Sequence, residues 1–127
     1  MTNVLNINAD NWKTEVLESP ILTVVCFCHD KCPWSRELNP IIEKVAGEYT
    51  GKIRFVRMNV LSKEENMKVA LHHGIRSVPA LDFFYGGRHV ETIFGFVEET
   101  HMRHILDEAL ERHMKRSKQC TPLEAAL

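Results

Sequence analysis

Ile21-Leu22-Thr23-Val24-Val25-Cys26-Phe27 is a near-continuous apolar, β-branched run, and Cys32-Pro33-Trp34-Ser35 follows it after a short polar gap. Beyond that, Leu38, Ile41, Ile42, Val45, Ala46 and Tyr49 recur at helical spacing. The first run predicts a strand buried on both faces, and the second pattern predicts a helix. Cys32 then stands at a strand-to-helix junction, aimed at a helix N-terminus. The partial positive charge of the unpaired N–H groups there favours thiolate over thiol. A second cysteine three residues on would complete a dithiol couple. Ser35 holds that place and cannot form a disulfide.

Upstream, Val4, Leu5 and Ile7 predict a short strand, and Asp10 can cap a first helix with Trp12, Val16 and Leu17 on one face, closed by Pro20. Downstream, the helix after Cys32 tolerates Pro33 in its first turn, while Pro40 falls inside it and should kink it. Ile53 to Val60 reads as a strand. Met67, Ala70 and Leu71 mark a short helix that stops at Gly74. After Val78-Pro79, the segment from Ala80 to Tyr85 turns through Gly86-Gly87 into His89 to Phe96, a hairpin. A last helix carries Met102, Ile105, Leu106, Ala109, Leu110 and Met114 along one stripe. Its basic end (Arg112, Lys115, Arg116, Lys118) suits the negative end of a helix dipole, a structural use rather than a docking patch. The expected architecture is α/β: a mixed central sheet of about five strands flanked by four helices, with parallel crossovers and a closing antiparallel hairpin. Residues 1–116 would form this domain, and 117–127 a flexible tail.

An apolar content of 44% and a charged content of 26% in 127 residues fit one globular domain that needs no staple. A net charge of −1 gives no reason to expect nucleic acid or a membrane surface as partner. No apolar stretch approaches a membrane span, and the N-terminus lacks a basic-then-apolar leader pattern. A cytoplasmic monomer is the default expectation, although a mature form stripped of a leader would look the same.

The four cysteines, Cys26, Cys28, Cys32 and Cys120, contain no C-x-x-C pair. Cys26 and Cys28 lie two apart in a strand and share a face. Cys26 reads as core. Cys28 reads as a small apolar filler, with a second use open: it alone is near enough in sequence to approach Cys32, if the loop rearranges to disulfide distance. Cys120 reads as a surface thiol of the tail. The seven histidines show no ligand spacing, so neither a metal nor a cofactor is expected. His29, three residues before Cys32, can serve as a base or promote the thiolate, and Lys31 adds a neighbouring cation.

The element order, with a Cys-Pro turn after the second strand and an X-Pro before the hairpin, resembles the thioredoxin family from about Val4 to Met114. Asn39-Pro40-Ile41-Ile42-Glu43-Lys44-Val45-Ala46-Gly47-Glu48-Tyr49 is similar to the family's active-site helix, and His73-Gly74-Ile75-Arg76-Ser77-Val78-Pro79-Ala80 to its G-I-R-x-[IV]-P-[TA] segment. Gly95 falls where the family keeps a glycine facing the site. The resemblance implies that Cys32 is the attacking thiol, Pro33 and Trp34 the intervening pair, and Val78-Pro79 a cis peptide that offers backbone to an extended substrate. Ser35 takes the place of the resolving cysteine. Several positions depart from the pattern. Lys31 replaces a tryptophan, Cys26 the buried aspartate that accepts the resolving thiol's proton, Cys28 a further tryptophan, and Arg57 a buried lysine. Losing the second sulfur and its proton acceptor together is chemically coherent.

Arg57 and Asp82 are unexpected charges on apolar strands, and in the family's order the Cys26 strand lies between theirs. They are expected to pair across Cys26, because an unpaired buried charge is costly, or else to lean toward solvent at strand ends. Three functional readings follow. The first is a thiol–disulfide exchange protein with one nucleophilic cysteine, acting on protein or peptide thiols and disulfides by mixed-disulfide formation, isomerisation or removal of glutathione adducts. Glutathione is then a candidate releasing thiol. The second is a redox-silent peptide-binding module using the same groove. The third is a natively dithiol thioredoxin-like protein whose resolving cysteine was mutated in the laboratory to Ser35, with Cys32 as the attacking half.

Overall fold

The structure, a computed structural model, describes residues 3–119. Five strands form one sheet: β1 (Leu5–Ile7), β2 (Leu22–Cys28), β3 (Ile53–Asn59), β4 (Ala80–Tyr85) and β5 (Arg88–Phe94). Three α-helices cover its faces: α1 (Pro33–Glu48), α2 (Glu64–His72) and α3 (Glu99–Gln119). The strand order is β1-β3-β2-β4-β5, with β1, β3 and β2 mutually parallel and β4 and β5 antiparallel. This is the expected mixed sheet. Every residue of the central strand β2 is buried, which explains its unbroken apolar run.

The expected first helix is instead two short, irregular turns. Ala9–Asn11 is a 3-10 turn and Lys13–Leu17 a single π-helical turn. Asp10 lies inside the first of these rather than capping it, and Asn11 Oδ1 accepts from the Asn8 N–H at 3.1 Å. The reason is tertiary. Asn66, fully buried on α2, accepts from the Ala9 N–H at 2.8 Å and donates to Asn8 Oδ1 at 2.9 Å. It also donates to the Asn59 carbonyl at 3.0 Å. That clamp holds Asn8 and Ala9 away from a regular helix start. The expected apolar face survives, with Trp12 edge-on to Phe84 at 5.3 Å and Val16 buried.

Two cores sandwich the sheet. On one face Val24, Cys26 and Cys28 of β2, with Leu81 and Phe83 of β4, meet Leu38, Ile42 and Val45 of α1 and Met102, Leu106 and Ala109 of α3. On the other, Val25, Phe27, Val56, Met58 and Phe84 pack against Trp12, Val16 and Ala70. Each fully buried Leu or Phe contributes about 1.5–3 kcal/mol by leaving water. α1 and α3 are also joined by polar contacts. Tyr49 donates to Asp107 Oδ1 at 2.6 Å, and burial with that neighbouring carboxylate pushes its hydroxyl up to about 12. α2 ends at Gly74, whose φ of +79° a side chain rarely adopts. α3 is described through Gln119, and the remaining residues of the expected tail, with Cys120, lie outside the described residues.

The expected Arg57–Asp82 pair does not form. In the sheet Arg57 aligns with Cys26, and Cys26 with Leu81. Asp82 aligns with Val25, so it projects from the opposite face. Arg57 Nη2 instead meets Glu43 Oε1 on α1 at 3.3 Å. Asp82, fully buried, accepts from Thr92 Oγ1 at 2.7 Å and meets His89 Nε2 at 2.6 Å. Burial raises its carboxyl above the ordinary range, and Thr92 and His89 oppose that rise.

Candidate active site

β2 delivers the chain to the sheet's C-terminal edge, and α1 begins at once with Pro33 in its first turn, where a missing N–H costs nothing. Cys32 is therefore the residue that caps α1. Its sulfur accepts from the Ser35 N–H at 3.5 Å. It also lies 3.6 Å from the Val78 carbonyl, to which the thiol donates. The Val78–Pro79 peptide is cis, and Gly95, at φ +92°, donates its N–H to the Pro79 carbonyl at 2.8 Å. Thus three loops distant in sequence converge on one sulfur: the α1 cap, the cis-proline turn and the end of β5.

Burial opposes the Cys32 thiolate, but the Ser35 hydroxyl and the backbone N–H groups of Ser35 and Trp34 outweigh it, and its pKa falls below the ordinary thiol value. Ser35 is 1% exposed, and its Oγ has no partner of hydrogen-bonding geometry in the resting arrangement. A buried hydroxyl beside a forming thiolate finds its partner when the proton leaves. Cys28, whose charge acts weakly on Cys32, opposes the thiolate. Lys31 is exposed and makes no ion pair among the described residues; its N–H donates to His29 Nδ1 at 3.2 Å.

A groove of about 370 Å³ starts at His29, Cys32 and Val78 and runs toward α2 past Leu61, Leu71 and Arg76. On the other side of the sulfur, Trp34 is 60% exposed and meets Phe96 at a tilt, with ring centroids 5.7 Å apart. The spacing of single residues did not reveal Arg76 and Phe96 as groups beside the site, because each lies on a loop brought in by the sheet. A larger hollow, about 500 Å³, lies at the other end of β2 near Ile21 and Gly51, and no nucleophile lines it. Cys26 and Cys28 are core neighbours of the site rather than part of its surface, and Arg57 stands beside them. Asp82 lies across the sheet from all of them. Among the described residues no cluster of His, Cys, Asp or Glu is placed to hold a metal ion.

A thiol at a helix cap, facing a cis-proline turn at the edge of a β1-β3-β2-β4-β5 sheet, defines a thioredoxin-like redox protein. Residues 3–108 match the family model described as Thioredoxin, and the chain belongs to the thioredoxin family. It is similar to Thioredoxin 1 of Nostoc sp. (strain PCC 7120 / SAG 25.82 / UTEX 2576), at 34% identity over 90% of this chain and 100% of that one. Thioredoxin 1 of Synechococcus elongatus is 36% identical over 78% of this chain and 90% of its own length. The chloroplastic Thioredoxin M-type of Chlamydomonas reinhardtii is 38% identical over 72% of this chain and 63% of its own. No helix among the described residues is long and apolar enough to cross a membrane.

Proposed function

We propose that the protein performs thiol–disulfide exchange on protein or peptide substrates through Cys32 as its single nucleophilic sulfur. The observation that carries this is the pairing of an acidified, half-buried Cys32 with a buried Ser35 where a second sulfur would stand. The Cys32 thiolate attacks one sulfur of a substrate disulfide. A new S–S bond forms, the old one breaks, and the departing sulfur leaves as a thiolate carrying the electron pair. Ser35 cannot carry out the second displacement, because its hydroxyl does not ionise in this range and an S–O bond would not replace the S–S bond. Release requires an external thiol of the glutathione class, or a second thiol on the substrate. The apolar flank of Trp34 and Phe96 gives an extended substrate a surface beside the sulfur. A reducing compartment such as the cytoplasm supplies the thiol.

The test is reaction of the full chain with oxidised glutathione, followed by intact mass, with Cys32→Ala as blank. The expected result is one adduct on Cys32 that persists until a reducing thiol is added and that Ser35→Cys sheds unaided. An absent adduct, or its spontaneous loss with Ser35 in place, would overturn the single-sulfur mechanism. The exposed ring of Trp34 beside Cys32 favours a second reading, a peptide-binding module without turnover. Peptide affinity that survives in Cys32→Ala, with no adduct in the parent chain, would select it.

A further inference from the structure

Behind the Cys32 turn, on the α1 face of the sheet, a second cleft of about 340 Å³ opens between β2, β3 and α1. Its lining includes Cys28, Asp30, Asn39, Arg57 and Asn59. Cys28 is 3% exposed, so no protein disulfide can reach its sulfur. The guanidinium of Arg57 is only partly used. Nη1 reaches Asn6 Oδ1 at 3.4 Å and Nη2 reaches Glu43 at 3.3 Å, while Nε is buried without a partner. The Asn39 amide oxygen is likewise buried without a partner. Leaving a buried donor and a buried acceptor unmade costs about 1–3 kcal/mol each. Both belong to residues lining the cleft that Cys28 walls. A group filling it should accept one hydrogen bond and donate another.

We propose that Cys28 is a second reactive thiol, at which a small hydroperoxide forms a sulfenic acid held by Arg57 and Asn39. The thiolate attacks one peroxide oxygen. An S–O bond forms and the O–O bond breaks. The sulfur is oxidised by two electrons, and the peroxide is reduced to hydroxide or alkoxide, which takes its proton from water. The product carries one oxygen that accepts from Arg57 Nε–H and donates its O–H to Asn39 Oδ1, meeting both orphaned atoms at once. At rest the Cys28 thiol donates to the Met58 carbonyl at 3.8 Å, and its pKa lies below the ordinary thiol value. Contact with the Cys26 thiol lowers the Cys28 pKa first, burial opposes, Arg57 lowers it further, and Asp30 opposes weakly. Asp30 is partly occupied by Asn59 Nδ2 at 2.9 Å. Cleft size thus divides the chemistry: Cys32 meets macromolecular disulfides and Cys28 meets small oxidants only. This does not depend on the turnover proposed for Cys32.

The experiment treats the full-length Cys32→Ala chain with hydrogen peroxide in the presence of dimedone, then sequences the tryptic peptide from Thr14 to Lys31 by fragmentation. The expected label is on Cys28 and not on Cys26. Arg57→Leu should slow labelling by about tenfold or more, since an adjacent cation changes a thiol's ionisation by that factor. Asn39→Ala should let the sulfenic acid pass to sulfinic acid in the absence of dimedone, seen as a gain of two oxygens. Circular dichroism confirms that each variant is folded, and Asn39→Ala carries the test if Arg57→Leu is not. Labelling only on Cys26 or Cys120, or a rate at Cys28 indifferent to both substitutions, would overturn the proposal.

Discussion

Replacing Ser35 by alanine isolates the contribution of a single buried hydroxyl to the reactivity of Cys32. The hydroxyl is 1% exposed, is unpartnered at rest, and is foremost among the groups favouring the thiolate. A hydrogen bond to a charged group is worth about 1.5–3 kcal/mol, and solvent near the half-buried sulfur places this one at the low end. About 1.4 kcal/mol is a tenfold change in the thiol–thiolate equilibrium, so Ser35→Ala should raise the Cys32 pKa. The backbone N–H groups of Ser35 and Trp34 remain, which keeps part of the acidification. The rate change is smaller than the ionisation change. A more basic thiolate is a better nucleophile, with a Brønsted slope of about 0.4–0.5, so a tenfold loss of thiolate becomes about a threefold loss of rate at neutral pH. Above the raised pKa the order reverses, and the variant reacts about threefold faster. Iodoacetamide alkylation of the peptide beginning at Cys32, followed against pH by mass spectrometry, reads both limbs. Superimposable profiles for the two chains would refute the role of the hydroxyl, and with it the account of why a serine serves at this position.

Three further outcomes are expected. Asp82→Asn should stabilise the fold by about 1 kcal/mol at pH 7, because a buried carboxylate is disfavoured by desolvation. The sign follows from its raised pKa: the folded state holds the Asp82 proton more tightly than the unfolded chain, so its contribution is full below the unfolded carboxyl range and is lost as pH climbs through the folded value. Urea midpoints at neutral pH should therefore separate the two chains and converge in acid; a constant gap would contradict this. Leu38→Ala, at a side chain with no exposure where α1 meets the sheet, should cost about 2–5 kcal/mol in the same denaturation assay. Trp34→Ala should leave stability within about 0.5 kcal/mol, since the ring is 60% exposed. The same change should weaken adduct formation with a disulfide-bearing peptide more than with oxidised glutathione, which an equal loss for both would disprove.

Local signals carried far in this chain. The apolar run through β2, the cap at Cys32, Pro33 in the first turn of α1, Gly74 after α2 and the Gly86-Gly87 turn each act within a few residues, so the order of elements is legible without coordinates. The place of Cys32 at a helix cap is legible for the same reason, because a helix N-terminus is a local feature. Partners across the sheet are another matter. Which face a strand residue takes depends on register, and one residue of slip reverses it. Arg57 and Asp82 lie on the two strands that flank β2, with Cys26 between them, yet only the Cys26–Leu81 alignment shows that they point apart. Glu43 then replaces Asp82 as the partner of Arg57, and Thr92 and His89 take Asp82 instead. The first helix broke into a 3-10 turn and a π turn for a similar cause: Asn66, far away in sequence, supplies Asn8 and Ala9 with hydrogen bonds that a local reading cannot foresee. The amino-acid sequence alone therefore determined most of the elements, their order and the place of Cys32 at the cap of α1, since short-range sterics and dipoles set them. Only the tertiary structure decided which buried charges meet, what stands around Cys28, and which aromatic rings flank Cys32, since those depend on strand register and on loops joined through the sheet.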